Sequence, residues 1–457
     1  MNTDCIQFEL GIQGGRKRRV EVVPDERESS SDGGLLLLAE IERRRAFIES
    51  FSRCFLDHRR QDLIVHPLRE LIAQRVYGLC QGYEDLNDHD LWRTDPLLGI
   101  VCGRDSDDDP LAGKSTLNRL ELGQGASSET DRYKRIEWNE GKIKEFFVDA
   151  FLDSYPTAPE EIVIDFDATD DPVHGEQEGR FFHGFYDEYC FLPLYAFCGH
   201  HLLAAILRPA DQDGAAGVVE LMAFLHERIR ARWPNTRIII RGDSGFCRDP
   251  LMAFCESHER TFYILGLARN SRLQRAIGKE LHDAAELHAQ TGHAARVFKE
   301  LRYTTRKSWS SERRVVAKAE QLAKGPNPRF VVTNLDPHEW PARELYEDLY
   351  CARGEMENRI KEQQLFLFAD RTSSHLFRAN QLRLWFSSVA YVFLCELRRV
   401  GLVGTDHDRA QCSTIRLHLL KVAASVVVSA RRILVRLPHS FPFWELWRRA
   451  ISALALT

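Results

Sequence analysis

The chain has 457 residues, 44% of them hydrophobic and 28% charged, with a formal net charge of −5. That balance is ordinary for a globular protein and argues against a disordered or membrane-embedded chain. The net negative charge excludes a globally basic nucleic-acid binder but not a local basic face. Eleven cysteines are scattered along the chain without a Cys-x-x-Cys pair. A zinc ribbon and a thioredoxin motif are therefore absent, and the odd, widely spaced set suits a reducing cytosol. The most apolar runs, 384–397 and 422–430, fall short of the ~20 apolar residues that span a bilayer. With no basic-then-apolar leader in MNTDCIQFELG, the expectation is cytoplasmic residence away from membranes.

Residues 1–34 read as a flexible N-terminal segment. They hold a short basic cluster, Arg16-Lys17-Arg18-Arg19, and a Ser/Gly-rich linker over 24–34. From 35 to 150 apolar residues recur at helical spacing, as in Ile41, Phe47, Ile48 and Phe51; the region is expected to be helical, with no strand. The pattern changes near 160. EEIVIDFD (160–167) is β-branched and alternates with period two. Strand-like runs at 189–199 and 202–209 suggest a hairpin turning at Gly199-His200. An amphipathic helix over 217–233, a buried strand over 236–243, a helix starting near Asp249-Pro250 and a strand over 261–268 follow. The order β-β-β-α-β-α-β predicts a mixed α/β layer. Residues 270–335 interrupt it with a polar helical piece and three strand-like runs, read as an inserted, β-rich subdomain. A long helix is expected over 342–366. Residues 371–457 read as helices throughout and are locally basic.

The residue pattern directs attention to carboxylates at strand ends. Asp167 ends one apolar strand and Asp243 another, each followed by a turn. Ligands of mixed α/β sheets sit at such carboxyl ends. Asp165 faces the same side as Asp167, ~6–7 Å away along the strand, so both carboxylates can approach one site. Gathering carboxylates calls for compensating cations, and hard divalent ions with oxygen ligands fit. On the later helix, Tyr350, Arg353, Glu357, Lys361 and Gln364 are spaced to share one stripe. The bland account of that stripe is a surface ion-pair ladder; the sharper one is that Glu357 supplies a third carboxylate to the two aspartates.

The ordered set DFDATD (165–170), IIIRGDSGF (238–246) and Tyr350-x2-Arg353-x3-Glu357 resembles the DDE transposases of bacterial insertion sequences. Within these the chain is most similar to the insertion-sequence thirteen-eighty family, related to the insertion-sequence-four group; residues 167–199 and 349–373 carry the likeness. The resemblance implies a ribonuclease H-like core built from 151–269 and 336–400 and interrupted by the insertion at 270–335. It implies a helical DNA-binding region at 35–150 and a basic helical C-terminal region at 401–457. It also implies Mg²⁺-dependent cleavage and strand transfer of double-stranded DNA at the terminal inverted repeats and the target. Asp167, rather than Asp165, would be the first catalytic residue, because Ala168-Thr169 follows it, with Asp243 and Glu357 completing the set. These three would bind two Mg²⁺ ions, with Mn²⁺ as a substitute. Tyr350, Arg353 and Lys361 would contact DNA. The family expects a lysine seven residues after the glutamate, where this chain has Gln364; Lys361 is the nearest replacement. Synapsis of two ends implies a homodimer on DNA. The alternatives are a catalytically silent, transposase-derived DNA-binding protein and a two-metal nuclease that cuts without joining.

Overall fold

The computed structural model describes residues 28–105, 109–123 and 135–456, together with two short paired strands, Phe8–Leu10 and Val20–Val22. The basic cluster at 16–19 lies outside the described residues. The centre is one mixed sheet. Its strands are β1 (Glu161–Ala168), β2 (Leu194–Cys198), β3 (His201–Ile206), β4 (Arg237–Gly242) and β5 (Thr261–Leu267), followed by β6 (Ala295–Tyr303), β7 (Arg313–Leu322) and β8 (Arg329–Thr333). They lie side by side in the order β3-β2-β1-β4-β5-β8-β7-β6, and a two-residue strand, Gly325–Pro326, adds to β7. Strands β1, β4 and β5 run parallel to one another, while β2 and β3 fold back antiparallel. The turn between β2 and β3 is at Gly199-His200, as the pattern predicts.

The strand-like runs of 270–335 are strands, and they continue this sheet. β8 pairs antiparallel with β5, and β7 with β8. Without β8, the apolar edge of β5 would expose unpaired backbone groups; pairing satisfies them and buries Val315, Val316, Val331 and Val332.

The sheet has two covered faces. Ile162, Ile164, Phe166, Ile238 and Ile240 point to one, where they pack in a single cluster with helices α1 (Val218–Arg232) and α2 (Asp249–Ser257). The alternate residues, Val163, Ile239 and Ile264, point to the other and pack under Leu345, Tyr346 and Leu349. The helix expected over 342–366 is interrupted there. It runs through a π-helical stretch, Leu345–Tyr350, and a short 3-10 turn, Cys351–Arg353, before α3 (Gly354–Leu367). Leu345, Tyr346 and Leu349 of the π stretch bury against the sheet.

Helix α4 (Phe377–Glu396) is apolar nearly all round and is enclosed on every side, which is why so hydrophobic a run needs no bilayer. Trp385 Nε1 donates to the Ala205 carbonyl at 2.9 Å and Gln381 accepts from Leu207 N at 2.7 Å, pinning α4 to the outer strand β3. N-terminal helices Leu35–Arg45, Leu68–Gln81 and Glu140–Leu152 share its core. Among the described residues, no helix is long and apolar enough to cross a membrane.

Three local expectations need correction. The N-terminal region contains a strand pair, Phe55–Asp57 with Ile136–Trp138, whose members are too far apart in sequence to betray each other. The C-terminal region is not helical throughout: Ala424–Ser429 and Arg432–Arg436 form a hairpin, in keeping with their runs of Val and Ile. The linker read over 24–34 is fixed from 28 onward. Ser29–Ser30 pairs with Ala424–Ser425, and the fully buried Asp32 accepts from Lys421 Nζ at 2.6 Å, Tyr83 Oη at 2.8 Å and Trp92 Nε1 at 3.0 Å. A polar composition suggested solvation; here a protein network takes the place of water. Much of the C-terminal basic excess is likewise consumed internally, by Glu121 for Arg383, Glu362 for Arg398, Glu396 for Arg399 and Asp32 for Lys421.

Candidate active site

The parallel register of β1 and β4 sets Arg241 beside Asp165 and Gly242 beside Phe166. One step further along both strands come Asp167 and Asp243. The two aspartates therefore leave adjacent strands at the same level, on the face covered by the helical segment 345–353. Asp243 turns the chain at once: its Oδ1 accepts from Gly245 N at 2.8 Å, stabilising a short 3-10 turn, Ser244–Phe246.

Asp165 and Asp167 share that face yet have different environments. Asp165 is buried, and Arg241 grips it through Nε–Oδ1 at 2.5 Å and Nη2–Oδ2 at 2.7 Å. Arg241 also donates to the Leu349 carbonyl, joining β4 to the covering helix. Burial outweighs these contacts and holds the Asp165 carboxyl above the usual range. Asp167 has a looser partner: Arg353 Nη1 lies 3.3 Å from its Oδ2. Its carboxyl is pushed up to about 6 by burial, and further by Asp243 and Glu357, against the lowering effects of Arg353 and the Ala168 amide. The three carboxylates thus share one electrostatic neighbourhood.

Glu357 projects from the first turn of α3 and is about half exposed; its Oε1 accepts from Arg353 Nη2 at 3.1 Å. The guanidinium of Arg353 therefore bridges Asp167 and Glu357. Tyr350 packs behind it, and burial and Asp243 raise its phenol. Lys361 is exposed one turn beyond Glu357. Gln364, where a lysine was expected, donates from Nε2 to the Asp170 carbonyl at 3.1 Å and ties α3 to the loop after β1. The opposite side of α3 is locked inward, with Glu362 paired to the buried Arg398 and Gln363 donating to Ser388 Oγ at 2.7 Å.

Gly266, on β5, was not singled out from the sequence. A Cβ there would lie 2.6 Å from Tyr350 Oη, 2.8 Å from Ser244 N and 3.1 Å from the Asp243 carbonyl carbon. Its bare Cα lets Tyr350 and the Asp243 turn close on each other. A glycine inside the apolar run YILGLA was the available signal.

Among the described residues, no group of three or more His, Cys, Asp or Glu side chains is drawn together tightly enough to hold a metal ion. The cation between Asp167 and Glu357 is instead Arg353. The donors are nonetheless suited to a hard divalent cation: all are carboxylate oxygens, and Asp167 is desolvated beside two like charges.

A search of curated proteins gives no significant match. Among solved structures, the chain is similar to the one described as the cryo-EM structure of piggyBac transposase synaptic complex with hairpin DNA, at 11% identity and a TM-score of 0.40, over 86% of this chain and 82% of that one. The family model described as transposase DDE domain group 1 matches residues 12–457, nearly the whole length, and the chain belongs to that family.

Proposed function

We propose that this chain is a DNA transposase of an insertion sequence, of the thirteen-eighty type, acting on double-stranded DNA through a ribonuclease H-like core. What supports the proposal is that Arg353 bridges Asp167 and Glu357, while Asp167 and Asp243 leave adjacent parallel strands at the same level. The order β3-β2-β1-β4-β5, two antiparallel strands beside three parallel ones, supports the fold assignment.

In this account Asp167, Asp243 and Glu357 hold divalent cations, Mg²⁺ by preference. When bound, such ions activate the attacking oxygen and stabilise the leaving oxygen at a phosphodiester. The chain's own residues set up the rest. Asp165 and Arg241 clamp β1 to β4 and so fix the spacing of the two strand-end aspartates. Glu362 and Arg398 fix the rotation of α3, which aims Glu357 outward. Arg353 moves from carboxylate to phosphate as DNA and cations enter, where its planar fork suits a phosphate oxygen pair. Lys361, exposed one turn away, adds backbone contact. Two copies act together on two ends.

The test is cleavage of DNA carrying the repeats that bracket the gene for this chain. Asp167→Asn, Asp243→Asn and Glu357→Gln should each abolish Mg²⁺-dependent cleavage while leaving end binding intact. Full cleavage by any one of them refutes the assignment. Joining of the freed 3′ end to a second duplex separates a transposase from a nuclease that only cuts.

A further inference from the structure

Between the first and second aspartates the chain makes a hairpin, Phe181–His183 with Glu188–Phe191. Its base is anchored. Phe377 N donates to Glu178 Oε2 at 3.2 Å, Glu178 N donates to the His375 carbonyl at 2.9 Å, and Phe191 packs edge-on against Phe377 at 5.5 Å. Its outer part is aromatic and bare. Phe182 and Tyr189 face each other across the strands, 5.6 Å between centroids, and are 52% and 50% exposed. Phe185, at the tip, is 83% exposed. Burying apolar rings is worth kilocalories, so a cluster left in water on an anchored hairpin implies a partner that covers it.

The position of the hairpin says which partner. Tyr186, beside Phe185 at the tip, packs against the same small apolar cluster as Ala168, the residue after Asp167. Its phenol is raised by burial and by Asp170, Asp167 and Asp243. The bare rings therefore stand at the rim of the carboxylate site. Arg180 lies over the Tyr189 ring at 4.9 Å, adding a cation to the aromatic surface. Aromatic faces interleaved with a cation are the chemistry that receives unstacked nucleobases beside a phosphate chain.

Building on the functional reading above, we infer that this hairpin is a stacking platform: Phe185, with Phe182 and Tyr189, receives bases unpaired at the DNA end held in the carboxylate site. The platform sorts frayed or single-stranded ends from intact duplex.

The experiment compares two probes in EDTA, so that no cleavage is needed. One is a blunt DNA duplex; the other is the same duplex with a short single-stranded tail bearing 2-aminopurine at its first unpaired position. The intact chain should bind the tailed probe more tightly and quench its fluorescence. Phe185→Ala should lower affinity for the tailed probe about 5- to 100-fold, the range expected for one stacked base, with blunt binding unchanged. Phe185→Trp should retain the preference. Phe185→Leu, which keeps apolar area but no ring face, should lose it. Equal binding of both probes by the intact chain overturns the platform while leaving the catalytic reading standing; no binding of either probe removes both. If Phe185→Ala instead abolishes self-association in sedimentation and leaves the tail preference intact, the rings meet a second copy and the inference is wrong.

Discussion

Asp165 and Asp167 lie two residues apart on one face of one strand, yet only Asp165 is held by a two-pronged arginine. Arg241 takes both of its oxygens, whereas Asp167 has a single 3.3 Å contact with Arg353. The difference follows from register. Arg241 lies directly beside Asp165, whereas the next residue along that strand after Gly242, at the level of Asp167, is another carboxylate, Asp243. One aspartate fastens the sheet and the other is left available.

That division is measurable as stability. Asp165→Asn should destabilise the fold by about 3–5 kcal/mol, the usual cost of leaving one member of a buried pair unmatched. Here the stranded group is the Arg241 guanidinium. Urea denaturation at neutral pH reads the change. A loss below about 1 kcal/mol would mean that the pair does not clamp β1 to β4.

Asp167→Asn should act in the opposite direction. The carboxyl is raised from 3.8 to about 6 in the folded chain. Between those values the folded state binds more protons than the unfolded, so its stability falls as pH rises through that window. By pH 7 the deficit is at most about 3 kcal/mol, from 1.36 kcal/mol per pH unit. The variant should therefore be more stable than the parent at pH 7 and equal to it near pH 3.5. Urea midpoints across that range decide it; a parent more stable at pH 7 than the variant would contradict the electrostatics described.

Arg353 competes with cations for Asp167 and Glu357. Without DNA, Arg353→Ala should bind Mn²⁺ about tenfold more tightly, since two charge-assisted contacts no longer need to be broken. Titration followed by electron paramagnetic resonance of free Mn²⁺ gives the constant. Weaker binding by the variant would show that the guanidinium supports the cation rather than standing in for it.

Gly266→Ala should cost about 1–3 kcal/mol, the ordinary range for overpacking. The added methyl meets both Tyr350 Oη and backbone at Ser244. Tyr350→Phe should recover part of that loss and not all, because the backbone contact remains. A double-mutant cycle in thermal unfolding measures the coupling; no coupling would mean that Tyr350 does not press on that turn.

What could be read from the chain was local. The period-two run of EEIVIDFD identified β1 and placed both aspartates on one side. The i,i+4 spacing of Arg353 and Glu357 anticipated their contact. What stayed hidden depended on partners remote in sequence. Which aspartate meets Arg241 is decided by the register of β1 against a strand more than 70 positions away. The strands of 295–333 could not announce that they extend the same sheet, since nothing in their composition names β5 as neighbour. The π stretch at Leu345–Tyr350 lies inside a run of ordinary helical spacing, and that spacing alone does not reveal it. Buried polar anchors such as Asp32 look like solvent-facing residues until Lys421, Tyr83 and Trp92 are placed around them.

The most direct test is to locate the cation. Crystals of the chain with end DNA and Mn²⁺, examined by anomalous diffraction, should show manganese bound by Asp167, Asp243 and Glu357, with the Arg353 guanidinium moved onto phosphate. Manganese bound elsewhere, with Arg353 still bridging Asp167 and Glu357 in the presence of DNA, would contradict the account.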